Sequence, residues 1–493
     1  MTKKIKRNHF IKLSLLGTAG IYLNSCGVGN NKSNKETKVT TDSIPKDTTP
    51  IKPPVKIVEP TFKLYKKGDV QYDVLRKGFN KRIDSYPEAM AQCTTTEEAA
   101  QAVVYGIQNK LPVSIKSGGH SFEGFSYNNS SLVIDLSRMN KVTWEDGNTI
   151  SVDPGCKLSQ LYDAILPKNK LLPAGSCGGV GIGGLTLGGG YGLFSRKYGL
   201  TCDSLQEVTM VDGKGNIINS KDDPELLWAC KGGGNGNFGV ITSMKFSLND
   251  APDVLHSYRF RIKSADTERA GDVLEKWFDI TANLPLPCFS AYVLNGKSLY
   301  ILLTNCDVKN VDITKVVSDL SALVDHTSIG QSTPLSKAVK VFYGEKNPVY
   351  FKNASAGLYK NYDDIKDCIG NVLETVTSTP GMIYQVNTLG GKINDATFTA
   401  QSSYAHRGQN YLSELQTYWQ QPSQADKMIK TFEEVQQLFY AGGVRQQYRN
   451  YPDINLKNWA SAYYGENYSR LQKVKMKYDP ENIFRYEQSI ARK

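Results

Sequence analysis

The sequence predicts an α+β protein in two structural parts, and three observations carry that reading. From about Thr61 to residue 250, short apolar runs alternate with segments of helical spacing. From 251 to about 440 the texture changes to alternating strands around hairpin turns, interleaved with longer helical segments. The last fifty residues return to short apolar runs and turns. A chain of 493 residues has room for two or three cores. Its 40% hydrophobic and 22% charged residues are an ordinary globular balance. Tyrosine is frequent, 28 against 17 phenylalanines, which suits a large, polar, ring-shaped ligand.

The chain begins "MTKKIKRNHFIKLSLLGTAGIYLNSC": a basic stretch, a short apolar run and a small-residue site. Residues 1–26 therefore read as an export signal, too short for a stable membrane span. The ending "LNSC" resembles a bacterial lipobox, making Cys26 the expected lipid-bearing residue. "RNHFIK" resembles a degenerate twin-arginine signal. Residues 27–60 are polar and Pro/Thr/Lys-rich and read as a disordered tether holding the folded part off a bilayer. The expected location is the bacterial cell envelope, with membrane contact only through the anchor. Five of the eleven net positive charges lie in residues 1–26. No dense Lys/Arg block with interleaved aromatics follows, which excludes a nucleic-acid binder. Besides Cys26, eight cysteines are scattered without C-x-x-C spacing, so neither a zinc site nor a disulfide scaffold is expected.

Within residues 61–250, "TTTEEAAQAVVYGIQNK" starts with capping threonines and acids and continues as a helix. "LPVSIKSGGHS" is a short buried strand running into a glycine turn. "SLVIDLSRMNKVTWEDGNTISVDPG" reads as strands with a turn at "EDGN", and "LSQLYDAILPKN" as a helix. "LQEVTMVDGKGNIINS" is a hairpin. In the second part, "CFSAYVLNGKSLYILLTNCDV" is a hairpin about "NGK". "DITKVVSDLSALVD" and "ADKMIKTFEEVQQLFYA" are helices, giving an antiparallel sheet with helices on one face.

Three glycine-rich loops stand out. Residues 174–192, "AGSCGGVGIGGLTLGGGYG", hold ten glycines around Cys177; the others are residues 116–126 and 231–242. Glycine-rich turns leave backbone N–H groups free to face phosphate oxygens. Three such loops in one part point to one extended phosphate-bearing cofactor. "GVGIGG" satisfies G-x-G-x-x-G. A dinucleotide fold is not expected, because "LLPAGSC" before it is no clean buried strand and the glycines of "LTLGGGYG" should break the required helix.

Taken together, "SIKSGGHSFEGFS", the Cys177 segment and "GGGNGNFGVIT", closed by "YRNYPD", "AYYGENYSRL" and "YDPENIFRYEQSI", resemble the berberine bridge enzyme-like flavin oxidases. That group includes sugar and oligosaccharide oxidases and lies within the p-cresol methylhydroxylase and vanillyl-alcohol oxidase superfamily. The resemblance runs from about Gly78 to Ile490 and is weakest between 251 and 380. It implies a two-part FAD-binding domain over 61–250, completed by 441–493, and a substrate domain over 251–440 whose antiparallel sheet is covered by helices. It also implies bicovalent FAD, with His120 joined to the 8α-methyl and Cys177 to ring carbon C6. A neutral imidazole and a thiolate are nucleophilic enough to add to a quinonoid ring. Further implied cofactor contacts are Ser117, Gly118, Gly119, Ser121, Gly175, Val180, Gly181, Gly184, Gly188, Gly239 and Val240; no metal is implied.

The same resemblance implies Tyr448, first tyrosine of "YRNY", as the base for a substrate hydroxyl, with Tyr451 the second. A phenol base needs a pKa well below about 10, hence a nearby positive charge or hydrogen-bond donor. Arg445 or Arg449 is a candidate, although strand alternation should send Arg449 away. Tyr191 is expected to face flavin and substrate, and Gln385 and Asn387 alternate onto one strand face. Asn387 stands where sugar oxidases have an aspartate, so help to the base must come from elsewhere. Val180 fits the oxygen-permissive type. The expected activity is oxidation of a sugar, oligosaccharide or other alcohol with O₂ reduced to H₂O₂. Alternatives are a dehydrogenase using a quinone or protein acceptor, and a glycan-binding lipoprotein without activity. The last has no need for His120 and Cys177 together.

Overall fold

The structure is a computed structural model describing residues 60–493. The expected export signal, Cys26 and the expected tether up to Glu59 lie outside the described residues.

Two small sheets make up the first part. One runs Lys63–Lys66, Ala89–Gln92, Leu132–Asp135, Val113–Lys116, the last three strands mutually parallel. The crossover between Ala89–Gln92 and Val113–Lys116 is the helix Thr96–Gln108. Thr95 caps it, its hydroxyl accepting from the Glu98 amide at 3.2 Å. The other sheet is antiparallel, in the order Val142–Trp144, Thr149–Val152, Val240–Ser247, Leu205–Val211, Ile217–Asn219. It contains the hairpins read at "EDGN" and "DGKGN".

The glycine stretch holds no long helix, as expected. A six-residue helix, Ile182–Leu187, does form, and Gly188 ends it. Ile182, Gly183, Thr186 and Leu187 are buried, and that packing overrides the poor helix propensity of glycine. The strand before it, Lys170–Leu171, has only two residues and pairs antiparallel with Asn249–Asp250. There is no parallel βαβ unit here, so the G-x-G-x-x-G match is not a dinucleotide fold.

The second part is an eight-stranded antiparallel sheet. Its main path is His326–Ile329, Val254–Ile262, Ser298–Asn305, Cys288–Asn295, Met382–Thr388, Tyr411–Trp419, Tyr350–Tyr359. The short strand Thr333–Pro334 joins Val254–Ile262. One face is apolar. Tyr292, Leu294, Tyr384, Val386 and Leu415 share a core with residues of the helices Thr267–Thr281, Lys366–Ser378 and Ala425–Ala441. The opposite face looks toward the glycine loops.

The C-terminal segment returns to the first part. The Val113 amide donates to the Ile483 carbonyl at 2.7 Å. On the helix Tyr468–Tyr478, fully buried Lys475 donates to Asp479 at 2.7 Å and to the carbonyls of Asn237 and Phe484. Asp479 in turn accepts from the amides of Ile483 and Phe484. A buried charge pair is tolerable only when its remaining hydrogen-bonding capacity is satisfied, as here.

Candidate active site

Between the glycine loops and the inner sheet face lies a cavity of about 440 Å³, within the ~300–1,000 Å³ usual for small-molecule sites. On one wall the loops carrying Gly118 and Gly181 touch backbone to backbone. A Cβ at Gly118 would sit 2.3 Å from the Gly181 nitrogen, and one at Gly181 would sit 2.2 Å from the Ser117 hydroxyl. Only glycine allows this approach.

His120 and Cys177 line the same cavity. The His120 ring stacks on Phe79, centroids 4.4 Å apart. Its Nε2 faces Gly179, two residues past the cysteine, where a Cβ would come within 3.1 Å. Burial and the charge of Lys157 push the imidazole pKa down to about 4, so the ring is neutral at physiological pH. The Cys177 thiol opens onto the cavity. Burial among protein atoms and the neighbouring Glu414 raise its pKa to about 11.

The opposite wall is a polar strip across three adjacent strands. Asn353 donates to the Tyr418 hydroxyl at 2.9 Å, and Tyr418 to Gln416 Oε1 at 3.2 Å. Gln416 donates to both Gln385 Oε1 and Glu414 Oε2, and Gln385 donates to Asn387 Oδ1 at 2.7 Å. All six side chains line the cavity. Burial pushes the Glu414 carboxyl up to about 8, so it is protonated over much of the neutral range. Tyr191 and Tyr451 face this strip, their phenols held well above 10 by burial and by Glu414. Tyr451 lies flat on Phe122 at 5.4 Å.

A second polar cluster ties the walls together. Buried Lys352, on the strand Tyr350–Tyr359, pairs with Glu123 from the His120 loop and with Asp453 at 2.7 Å. Arg82 also pairs with Glu123.

The structure brings Tyr191, Gln385 and Asn387 to the cavity as expected from the sequence, together with Ser117, Gly118, Gly119, Ser121, Gly175, Val180, Gly181, Gly184 and Gly239. Three expectations need correction. Tyr448 does not line the cavity. Its hydroxyl is enclosed behind the wall, accepting from the Gly190 amide at 3.0 Å and from Asn450 Nδ2 at 3.1 Å. Burial raises its pKa to about 12, outweighing the lowering by the hydrogen bonds from Asn450 and Gly190. Arg445 binds the Tyr440 carbonyl, and Arg449 donates to Tyr464 and Tyr486. Arg449 does point away from Tyr448, as expected, although "YRNY" is a turn and not a strand, closed by the Tyr451 amide on the Tyr448 carbonyl. Gly188 is also off the cavity, packed so closely that a Cβ would meet Asn450 Oδ1 at 2.0 Å. Val240 opens a strand and joins the core beneath the helix Thr96–Gln108.

Glu414, Gln416, Tyr418 and Asn353 were missed. The readable signal was in "YLSELQTYW": Glu414 and Gln416 stand two apart in a run otherwise fit for burial.

Glycine loops pressed against a neutral histidine and a cavity-facing thiol, opposite a polar sheet, define a two-part enzyme that closes a large cofactor against a substrate platform. Family models agree: residues 87–221 match an FAD binding domain, and residues 447–491 match the berberine and berberine-like family. The FAD-linked oxidoreductase YgaK of Bacillus subtilis is 31% identical over 441 residues, 87% of this chain and 97% of the relative. The chitooligosaccharide oxidase of Gibberella zeae is 28% identical over 444 residues, 84% of this chain and 89% of the relative. Among solved structures, Physcomitrella patens BBE-like 1 superposes with a TM-score of 0.81 at 23% identity, covering 88% of this chain and 98% of that one. This chain belongs to the berberine bridge enzyme-like FAD-linked oxidoreductases.

The residues present fit FAD. The Gly118–Gly181 approach leaves a cradle that any side chain would fill. His120 and Cys177 line the same cavity as these glycines.

Proposed function

We propose that this protein oxidises a CH–OH carbon of a carbohydrate or similar polyhydroxylated alcohol, with FAD attached through His120 and Cys177 and O₂ as electron acceptor. The observation that carries the reading is the cavity-facing strip of Asn353, Gln385, Asn387, Glu414, Gln416 and Tyr418, whose amides and hydroxyls match vicinal hydroxyl groups. Relatives described as a chitooligosaccharide oxidase and a xylooligosaccharide oxidase in complex with xylobiose support this substrate class. Val180, beside the cysteine segment on the cavity wall, supports oxygen access.

Bound FAD supplies the two-electron acceptor for the substrate's hydride. The chain does the rest. The polar strip orients the sugar ring and fixes which carbon faces the cofactor. Glu414 takes the hydroxyl proton, because its carboxyl has the pKa nearest neutrality among the acids and phenols facing the strip. Tyr191 and Tyr451 stay protonated and donate hydrogen bonds to the substrate oxygen. Tyr448 holds the Gly190 turn and Asn450 in place. We further propose a lipid anchor at Cys26; palmitate labelling lost in Cys26→Ser tests it. The activity itself is tested by screening carbohydrates and alcohols for anaerobic flavin bleaching and aerobic H₂O₂. Bleaching without peroxide would reassign the acceptor.

A further inference from the structure

Arg449 has an unusual environment. The residue is only 5% exposed and forms no ion pair among the described residues. Its Nε donates to the Tyr464 hydroxyl at 2.9 Å and its Nη2 to the Tyr486 hydroxyl at 2.8 Å. Its guanidinium also lies over the rings of Phe125, Tyr463 and Tyr486, 5.4–5.6 Å from their centroids. None of these partners is a carboxylate. Arginine stays protonated in proteins, so the positive charge is permanent. A buried cation without an anion is costly, and natural proteins seldom retain one without use.

The cavity wall supplies the use. Arg449 lines the cavity next to Asn450, with Tyr486, Phe125, Asn235 and Gly236 also on the wall. Among the described residues it is the one lysine or arginine on that wall. Its Nη1 makes no hydrogen bond to the described residues, whereas its other two nitrogens are paired. FAD carries a permanently anionic diphosphate, and its pyrimidine edge gains negative charge on reduction. We propose that Arg449 is the counter-charge for an anionic part of bound FAD, reached through Nη1. The phenols of Tyr464 and Tyr486 aim the guanidinium at the cavity and hold it there without neutralising it. Arginine suits this place because two of its nitrogens can be anchored while the third stays free.

The test uses the full chain carrying His120→Ala and Cys177→Ala, in which flavin is exchangeable if both bonds are as proposed. Flavin retained by the denatured double variant would count against the attachment reading and not against Arg449. Into this chain go Arg449→Gln, which keeps donors for the two phenols, and Arg449→Lys, which keeps the charge. Affinities for FAD and riboflavin are measured by fluorescence titration, and the bound flavin's reduction potential by dye equilibration. With the charge on the diphosphate, Arg449→Gln weakens FAD binding about 10–100-fold, leaves riboflavin unchanged, and Arg449→Lys recovers part of the loss. With the charge on the ring, FAD and riboflavin weaken alike and the potential falls. Unchanged FAD affinity and potential, or equal weakening of both ligands with an unchanged potential, would overturn the proposal.

Discussion

Gln385 and Glu414 are register partners on adjacent antiparallel strands, and both side chains enter the cavity. Gln416 links them by donating to both. The amide proposed to position a substrate and the carboxyl proposed to take its proton are thereby fixed to one rigid sheet, where placement is more exact than on loops.

Replacing the carboxyl tests its role. Glu414→Gln keeps shape and polarity but removes the acceptor, and flavin reduction by substrate should slow by about 10²–10⁴. In the parent chain the reduction rate should rise with pH and level off above about 8, as the carboxyl ionises. The variant should lose that dependence, as read by anaerobic stopped-flow absorbance. Stability should move oppositely. The folded pKa lies above the ordinary value, so the contribution of the neutral carboxyl is full below about 4.3 and is lost as pH rises through about 8. Denaturant midpoints across this window should therefore slope less in Glu414→Gln.

The two tyrosines of "YRNY" should separate. Tyr448→Phe leaves the Gly190 amide without its acceptor and the Asn450 amide with only the Leu185 carbonyl. It should lower stability by about 1–3 kcal/mol, seen as a lower denaturant midpoint, with a modest effect on flavin reduction. Tyr451→Phe removes a cavity-facing donor and should slow flavin reduction while leaving the midpoint nearly unchanged.

Flavin attachment should follow the two cavity nucleophiles. Acid-denatured parent chain should keep its yellow colour through gel filtration, as should His120→Ala and Cys177→Ala singly, each through its remaining bond. The double variant should release the flavin.

Lys475 and Asp479 are both fully buried and pin the C-terminal segment. Lys475→Met leaves the carboxylate buried without its cation. It should destabilise the protein by about 3–5 kcal/mol, measured by urea unfolding.

Much of this was legible in the sequence because it depends on local pattern. The glycine loops, the hairpin about "NGK" and the Gln385/Asn387 alternation each follow from residues close together in the chain. Glu414 was not legible as Gln385's partner, because the strands pair across more than twenty intervening residues and register is set by tertiary packing. Tyr448 was assigned from the resemblance, and a motif alone does not show that its hydroxyl is taken up by Gly190 and Asn450 behind the cavity wall. The short helix Ile182–Leu187 was not legible, because burial of Ile182, Gly183, Thr186 and Leu187 and not propensity forms it, and Gly188 ends it.

The central claim is oxidation of a polyhydroxylated alcohol at the polar strip. Its most direct test is anaerobic mixing of the flavin-loaded protein with a panel of mono- and oligosaccharides and simple alcohols, followed by the flavin absorbance. The expected result is bleaching by at least one carbohydrate, much slowed in Glu414→Gln and restored on admitting air with formation of H₂O₂. If no carbohydrate or alcohol bleaches a flavin that dithionite reduces readily, the claim is contradicted.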